Sequence, residues 1–183
     1  MSTYIPGEAI SGYLITPKQK LFCELQAMLA LESGGMADDV LAFMVAFDQL
    51  PRALNEPVSA EDLKLAHQLV AEEAQEFFDA LENFKNFQSI ENLTEVVDGA
   101  VDSIYVLLWT LLKFGVPVNA CFDEVQRSNM AKLFPDGSYK KYEDGPKAGK
   151  VMKPTTWTAP DLHSILVEHF DAGEYVNGIR KDE

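Results

Sequence analysis

Apolar residues recur every three or four positions along most of the chain, and this spacing predicts an all-α protein. Thr16 can cap a first helix that has Pro17 at its first position and runs to the Ser33-Gly34-Gly35 break. A second helix covers about residues 37–50 and stops before Pro51. The pattern predicts four core helices with this N-terminal helix and a C-terminal loop or hairpin arm added to them.

Two long helices come next in the pattern. Ser59 caps one that reaches about Asn83, and Ser89 caps one that ends at Phe114 with Gly115 as its stop signal. Because the polar link between them is short, we expect them to be antiparallel neighbours. A further helix covers about residues 118–133.

Beyond that helix, two turn signals around the segment SYKKY predict a small hairpin or loop arm, and residues 161–170 can form a short helix. The expected division is an N-terminal arm (irregular over 1–15) and extra helix at 1–35, an all-α core at 36–134, and a basic loop arm, short helix and acidic tail at 135–183. We expect one core domain with extensions.

The chain is strongly acidic, with 15 Lys and Arg against 29 Asp and Glu and a net charge of -14. This balance argues against duplex nucleic acid or an anionic membrane as the main partner, because both attract basic surfaces. The start has no pattern of a signal peptide, and the longest apolar stretch, at 104–114, is too short for a bilayer. A cytoplasmic enzyme or binding protein is therefore expected.

The first long helix carries the acidic motif EEAQE, which contains Glu72, Glu73 and Glu76. Glu73 and Glu76 lie about 60° apart on the helix, and Glu73 lies only about 40° from Phe77 of the apolar stripe. Glu73 is therefore expected at the edge of the buried seam. A carboxylate at a seam costs free energy unless it is paired or bound to a metal.

The second long helix places four acids within an arc of about 60°. They are Glu91, Glu95, Asp98 and Asp102. Clustered like charges repel each other, whereas Mg²⁺ prefers oxygen ligands and bridges carboxylates to phosphates. The sequence thus predicts a magnesium site between the two helices, with a merely solvated acidic face as the alternative. A di-iron bundle would need Glu-x-x-His on two helices, which this chain lacks.

A polar cluster on the next helix contains Arg127, Asn129 and Lys132, groups that can bind sugar or phosphate oxygens. The arm that follows is basic, which is unusual in this acidic chain. Its lysines either cover a polyphosphate or only solvate the arm, and Lys150 and Lys153 are the candidate substrate contacts among Lys140, Lys141, Lys147, Lys150 and Lys153.

The motif EEAQE, followed one helix later by EVVD, resembles the MazG-like all-α nucleoside triphosphate pyrophosphohydrolases, with phosphoribosyl-ATP pyrophosphohydrolase-like and dUTPase-like relatives. The likeness covers about residues 40–160. It implies a MazG-like helical bundle and hydrolysis of a nucleoside triphosphate to the monophosphate and pyrophosphate, with Mg²⁺ as cofactor and Mn²⁺ as a possible substitute. It also implies a homodimer or homotetramer.

The resemblance assigns roles residue by residue. Glu73 and Glu76 match the metal ligands of the first motif, and Glu72 matches the residue that orients or deprotonates the attacking water. Glu95 and Asp98 match the second motif. In many relatives the motif's Asp precedes an apolar stretch with a Tyr, and here that stretch follows Asp102. The ligands on the second helix are therefore to be chosen among Glu95, Asp98 and Asp102. Asn129 and Lys132 would contact phosphate or sugar, and Phe47 or Phe43 would stack on the base unless it is plain core.

The expected substrate is a pyrimidine nucleotide of the dUTP or dCTP type, in nucleotide-pool house-cleaning. Phosphoribosyl-ATP is the alternative substrate, because its hydrolysis shares this fold and chemistry. A non-catalytic helical dimer that binds nucleotide, or a helical adaptor that binds no metal, is the alternative outside catalysis.

Overall fold

The computed structural model describes residues 16–29, 31, 34–54 and 56–171, and this part of the chain is all-helical, without strands. The expected irregular arm at 1–15 and the acidic tail from residue 172 lie outside the described residues. Six α-helices follow in chain order: α1 Pro17–Met28, α2 Met36–Ala46, α3 Ala60–Asn86, α4 Ile90–Lys113, α5 Val118–Met130 and α6 Leu162–Asp171. The predicted all-α class is confirmed.

The helices begin where the sequence predicts. Thr16 forms a full capping box, in which its hydroxyl accepts from the N–H of Gln19 and the Gln19 side chain accepts from the N–H of Thr16. The hydroxyls of Ser59 and Ser89 accept in the same way from backbone N–H groups three residues later, at the starts of α3 and α4.

Helix ends were predicted less well than helix starts: α1 ends at Met28, before the predicted break at Ser33, and α3 ends at Asn86, three residues beyond Asn83. Two other ends were wrong by three or four residues in the opposite direction from that of α3. Helix α2 ends at Ala46 rather than near Leu50, because Asp48 adopts a left-handed φ of 58°, which cannot continue a right-handed helix. Helix α5 ends at Met130 rather than at Leu133, and the chain turns over the next three residues.

The core lies between α1, α2 and the C-terminal half of α4. Its fully buried side chains are Leu29, Val40, Leu41, Met44 and Leu112. The indole N–H of the buried Trp109 donates to the Gln49 side chain. Asp38 is also buried, and its carboxylate accepts from the Gln26 side chain and from the N–H of Gly34, which ties α1 to α2. The hydrogen bonds to both carboxylate oxygens offset the free-energy cost of removing that charge from water.

Helices α3 and α4 form a long hairpin and pack against each other along its length, as the short link predicts. One stripe of α4 remains open to solvent among the described helices. Its side chains are 38% to 70% exposed: Ile90, Leu93, Val97, Val101, Ile104, Leu107 and Leu111. Five of these residues belong to the apolar side that the sequence pattern places opposite the acids: Leu93, Val97, Ile104, Leu107 and Leu111. The α4 side chains buried in the core are instead Trp109 and Leu112.

Helix α6 closes the far end of the bundle by packing on a buried arginine. Arg52 donates to the carbonyls of Ala53, Leu54, Glu56 and Phe114, and the Phe170 ring lies 5.0 Å from its guanidinium carbon. The neighbouring His169 is half-buried, and its Nε2 lies 3.1 Å from the carbonyl oxygen of Gly115.

This packing predicts a loss of stability in mild acid. Burial lowers the pKa of His169; the Gly115 hydrogen bond opposes that effect, and the charge of Arg52 adds to it. Since the folded pKa lies below the unfolded value of about 6.5, the unfolded chain binds more protons there. The free energy of unfolding in urea should therefore fall as the pH drops below about 6.5.

The variant His169→Gln keeps a donor for Gly115 and should remove this part of the pH dependence. His163→Gln, at an exposed position of the same helix, is the matched control and should retain it. The same slope of unfolding free energy against pH in wild type and His169→Gln would contradict the assignment.

The predicted arm is a short hairpin. Lys141 and Val151 form an isolated antiparallel bridge, flanked by hydrogen bonds that join Tyr142 to Lys150 and Met152 to Lys140. A 3₁₀ turn at Gly145–Lys147 lies at its tip. Among the described residues no single helix is long and apolar enough to cross a membrane; α4 and α5 reach that combination only as a pair bent by 118°.

Candidate active site

The two acidic motifs lie where α3 and α4 approach most closely. A Cβ added to Gly99 would lie only 3.0 Å from the Cα of Phe77, so the absence of a side chain lets the two backbones meet. One turn further along α4, the hydroxyl of Ser103 donates to the backbone carbonyl of Glu73 at 3.3 Å. The crossing thus brings Asp98 and Asp102 of α4 beside the turn of α3 that carries EEAQE.

Glu73 is the centre of the acidic cluster. It is half-buried, and its pKa is raised first by burial and then by the charges of Glu76, Asp102, Glu72 and Asp98. Two of these groups come from α3 and two from α4. The predicted position of Glu73 at the seam edge is confirmed, and the charges of acids on both helices act on it across the helix crossing.

The four acids predicted on α4 do not all face Glu73. Asp98 and Asp102 raise its pKa, whereas Glu95 does not contribute. Glu91 lies in the first turn of α4, where hydrogen bonds from its own N–H and from Ser89 lower its pKa. This arrangement favours Asp98 and Asp102 over Glu95 as partners of Glu73, and the metal-ligand assignment itself stays a prediction.

The donor set suits a hard cation. All five carboxylates offer oxygen, and a divalent cation would relieve the mutual repulsion that raises the pKa of Glu73. Among the described residues no three Asp, Glu, His or Cys side chains converge closely enough to enclose a metal ion. That spacing is compatible with Mg²⁺, which keeps several waters and is commonly held by one or two carboxylates plus substrate phosphates.

The polar residues in the last turns of α5 and just after its end fall into two groups. Lys132 and Asn129 lie together, with 2.7 Å between the ammonium nitrogen and the amide oxygen. Arg127, by contrast, is held by protein groups: Nε and one terminal nitrogen donate to Glu124 at 2.6 and 2.7 Å. Its two terminal nitrogens also donate to the Thr158 hydroxyl and the Ala159 carbonyl. Its predicted role in substrate binding stays a prediction, but its guanidinium is already engaged.

The hydrogen-bond network around Arg127 was not predicted from the sequence. The Arg127 hydrogen bonds, followed by the N–H of Asp161, lower the pKa of Glu124 to about 2. The indole N–H of Trp157 donates to the carbonyl of Ser128, whose buried hydroxyl donates to the carbonyl of Thr158. We call residues 157–161 the strap, because these bonds fasten them to α5. No local sequence signal links positions about thirty residues apart.

Phe47, the predicted base-stacking residue, belongs to an aromatic cluster near the acids. Its ring is 4.4 Å from that of Phe43, which in turn lies 5.8 Å from the ring of Tyr105. Tyr105 follows Asp102 by three residues and so lies one turn away on α4. Phe47 is 64% exposed, which leaves its ring available for stacking. Tyr105 was not among the candidates, although its spacing from Asp102 could have indicated it.

Lys150 and Lys153 lie in the arm, apart from the carboxylate cluster in the chain. Both are exposed, and the Lys153 ammonium nitrogen lies 3.3 Å from the centre of the Trp157 ring. Their predicted contact with substrate stays a prediction.

Comparison with known proteins identifies the helical core. The family model described as phosphoribosyl-ATP pyrophosphohydrolase matches residues 40–129, which include α3, α4 and most of α2 and α5. A search of the curated proteins found no match. The resemblance seen in the two acidic motifs is confirmed. Residues 40–129 therefore form a phosphoribosyl-ATP pyrophosphohydrolase domain, which belongs to the MazG-like superfamily of all-α nucleotide pyrophosphohydrolases, enzymes that hydrolyse phosphorus-containing anhydrides.

Proposed function

We propose that this pyrophosphohydrolase is Mg²⁺-dependent and cleaves the α–β phosphate link of a nucleoside triphosphate to give the monophosphate and pyrophosphate. The observation that carries the proposal is the helix crossing, where Gly99 meets Phe77 and Ser103 donates to the Glu73 carbonyl, so that the turns of α4 with Asp98 and Asp102 lie against the turn of α3 with Glu73. Four carboxylates around the half-buried Glu73 are unfavourable for folding and suit a site that handles a cation.

On the proposed mechanism the ligands that would hold Mg²⁺ are two acids of α3, Glu73 and Glu76, and two of α4, Asp98 and Asp102. Glu95 is the less favoured ligand. The bound cation would neutralise the triphosphate and stabilise the negative charge that develops on the leaving pyrophosphate. Glu72 orients the attacking water and accepts its proton while the new oxygen–phosphorus bond forms and the bond to the bridging oxygen breaks. Lys132 and Asn129 bind phosphate or sugar oxygens, and Phe47 stacks on the base.

The substrate we favour is a pyrimidine triphosphate of the dUTP or dCTP type, hydrolysed in the cytoplasm as part of nucleotide-pool house-cleaning. Phosphoribosyl-ATP is the second candidate, and the description of the matching family favours it. Both substrates carry an α–β phosphate link, so the carboxylate cluster serves either.

Pyrophosphate release from a substrate panel tests the proposal. The panel contains dUTP, dCTP, the four ribonucleoside triphosphates and phosphoribosyl-ATP, each with Mg²⁺, with Mn²⁺ and with excess EDTA. We expect release with either metal and loss of at least about 100-fold in EDTA. Undiminished release in EDTA would refute the metal role. Tight nucleotide binding without any release would instead indicate a non-catalytic binding protein.

We further propose that two copies associate through the exposed stripe of α4. Its seven apolar residues lie within an arc of about 120° on a helix about 36 Å long, and the acids occupy the opposite side. Exposed apolar surface of this extent marks an association surface, and a stable interface covers about 800 Å² on each partner. A homodimer, or a homotetramer built from it, would cover the stripe and leave the acids open.

The variant Ile104→Glu places a charge in the middle of this stripe and should convert the assembly to monomers. The molar mass is measured by light scattering after size-exclusion chromatography. Gln68→Glu adds the same charge at an exposed polar position of α3 and should leave the mass unchanged. A monomeric wild-type protein at high micromolar concentration would rule out the interface.

A further inference from the structure

The arm concentrates positive charge on an acidic protein. Residues 138–153, which we call the lysine arm, hold five of the chain's fifteen Lys and Arg residues against two carboxylates, Glu143 and Asp144. All five lysines are exposed. Among the residues that the structure describes, none of the five forms an ion pair with a carboxylate. The lysine arm is therefore a place where an anion can approach a protein whose net charge of -14 repels it elsewhere.

Aromatic rings hold four of these ammonium groups in place. The distances from nitrogen to ring centre are 4.8 Å for Lys140 over Phe134, 5.9 Å for Lys141 over Tyr139, 5.6 Å for Lys147 over Tyr142 and 3.3 Å for Lys153 over Trp157. A cation on a ring face keeps its charge, loses freedom of its stem and retains N–H donors on its outer side. Such lysines give up less entropy when an anion binds.

The hairpin arranges the lysines in pairs. Because side chains alternate along extended strands and Lys141 is bridged to Val151, Lys141 and Lys153 lie on one face of the hairpin. Lys140 and Lys150 lie on the other face, by the same alternation. Two charges on a face match a linear anion with several charged groups better than a single phosphate.

The base of the lysine arm is fixed. The turn between Phe134 and Ser138 begins it, and Trp157 of the strap, bonded to Ser128 of α5, ends it. The Lys153 ammonium thus lies on a ring that is itself anchored to the helical core. Binding of an anion at this face should therefore change the fluorescence of the Trp157 indole.

We propose that the lysine arm is a second binding site, independent of metal and of the carboxylate cluster, for a short linear polyphosphate. The shared chemistry is a chain of two or three phosphates, carried by a nucleoside triphosphate or present as free tripolyphosphate. The site binds the phosphate chain through Lys141 and Lys153 and takes no part in bond cleavage.

The test is a titration of the full chain with inorganic tripolyphosphate in EDTA, followed by tryptophan fluorescence. We expect a saturable change that is absent in Trp157→Phe and that weakens as salt is added. The double variant K141Q/K153Q should weaken the affinity about tenfold or more. The matched control K18Q/K20Q removes the same charge from α1 and should bind as the wild type does.

Parallel titrations distinguish the ligand sources and the two sites. With dUTP in EDTA we expect an affinity within a few-fold of that for tripolyphosphate, whereas deoxyuridine should not bind. Glu73→Gln should lose turnover and keep tripolyphosphate binding, so that failure of the proposed catalysis would not be mistaken for failure of this site. Three results would overturn the proposal: no saturable change, equal weakening in K18Q/K20Q, or a single-stranded oligonucleotide that binds far more tightly than tripolyphosphate at equal phosphate concentration.

Discussion

Glu73→Gln is expected to reduce pyrophosphate release by at least about 100-fold while the helical fold remains. After burial, carboxylates of both helices raise the pKa of Glu73, so its loss removes the centre of the cluster. The neutral amide also removes like-charge repulsion. Because the folded pKa of Glu73 is raised, its ionised form destabilises the fold at neutral pH, and the variant should be at least as stable as the wild type.

Circular dichroism, urea unfolding and pyrophosphate release measure the three parts of this expectation. Asp79→Asn on the same helix is the matched control, since Asp79 is exposed and, among the residues that the structure describes, accepts a hydrogen bond from Gln75 alone. It should retain full turnover. Full activity of Glu73→Gln would eliminate the carboxylate cluster as the active site, and lower stability would contradict the repulsion that we infer.

Substitution of Gly99 should damage both stability and turnover in proportion to side-chain size. In an open helix Gly→Ala stabilises by about 1 kcal/mol, but here the new Cβ would meet the Cα and backbone N of Phe77 at 3.0 and 3.1 Å. Overpacking of this kind costs about 1–3 kcal/mol. Gly99→Val should cost more than Gly99→Ala, and the helices must separate to accept either.

Helix separation carries Asp98 and Asp102 away from Glu73, so turnover of the folded protein should fall about tenfold or more for Gly99→Val. Unfolding free energy and pyrophosphate release are measured on the same samples. Truncation of the neighbouring side chain in Phe77→Ala should not rescue Gly99→Val, because the closest atoms belong to the backbone. A Gly99→Ala variant more stable than wild type would show that the crossing can relax.

Local signals predicted the helices well because caps and periodicity act within a few residues. The starts at Thr16, Ser59 and Ser89 depend on one hydroxyl each and were confirmed. The position of Glu73 at the seam edge follows from the helical repeat alone. Helix ends were less predictable, since the end of α2 depends on the backbone conformation of a single residue, Asp48.

Features that depend on which helices meet were not predictable from one sequence. The periodicity of α4 shows its apolar positions but not which of them enter the core. In the structure Trp109 and Leu112 are buried there, whereas the stripe from Ile90 to Leu111 stays exposed. From the sequence alone Gly99 is only a residue of low helix propensity. Its role in the helix crossing is visible only once Phe77 is seen to lie against it. Arg127 has the chemistry of a phosphate ligand, but it is bound by Glu124 on the same helix and by Thr158 and Ala159 about thirty residues away, and the latter contacts have no local signal.

Because the strap is anchored to α5, the hairpin between α5 and the strap is a loop with both ends fixed on the helical bundle. Phe134 lies six residues beyond Ser128, on which Trp157 is fastened, so the two ends of the loop are fixed within about 20 Å of each other. The entropy of closing a loop grows only with the logarithm of its length, so doubling or halving the hairpin changes stability by about 0.6 kcal/mol. Length and composition of this segment can therefore vary, or be redesigned, with little strain on the bundle that holds the carboxylates.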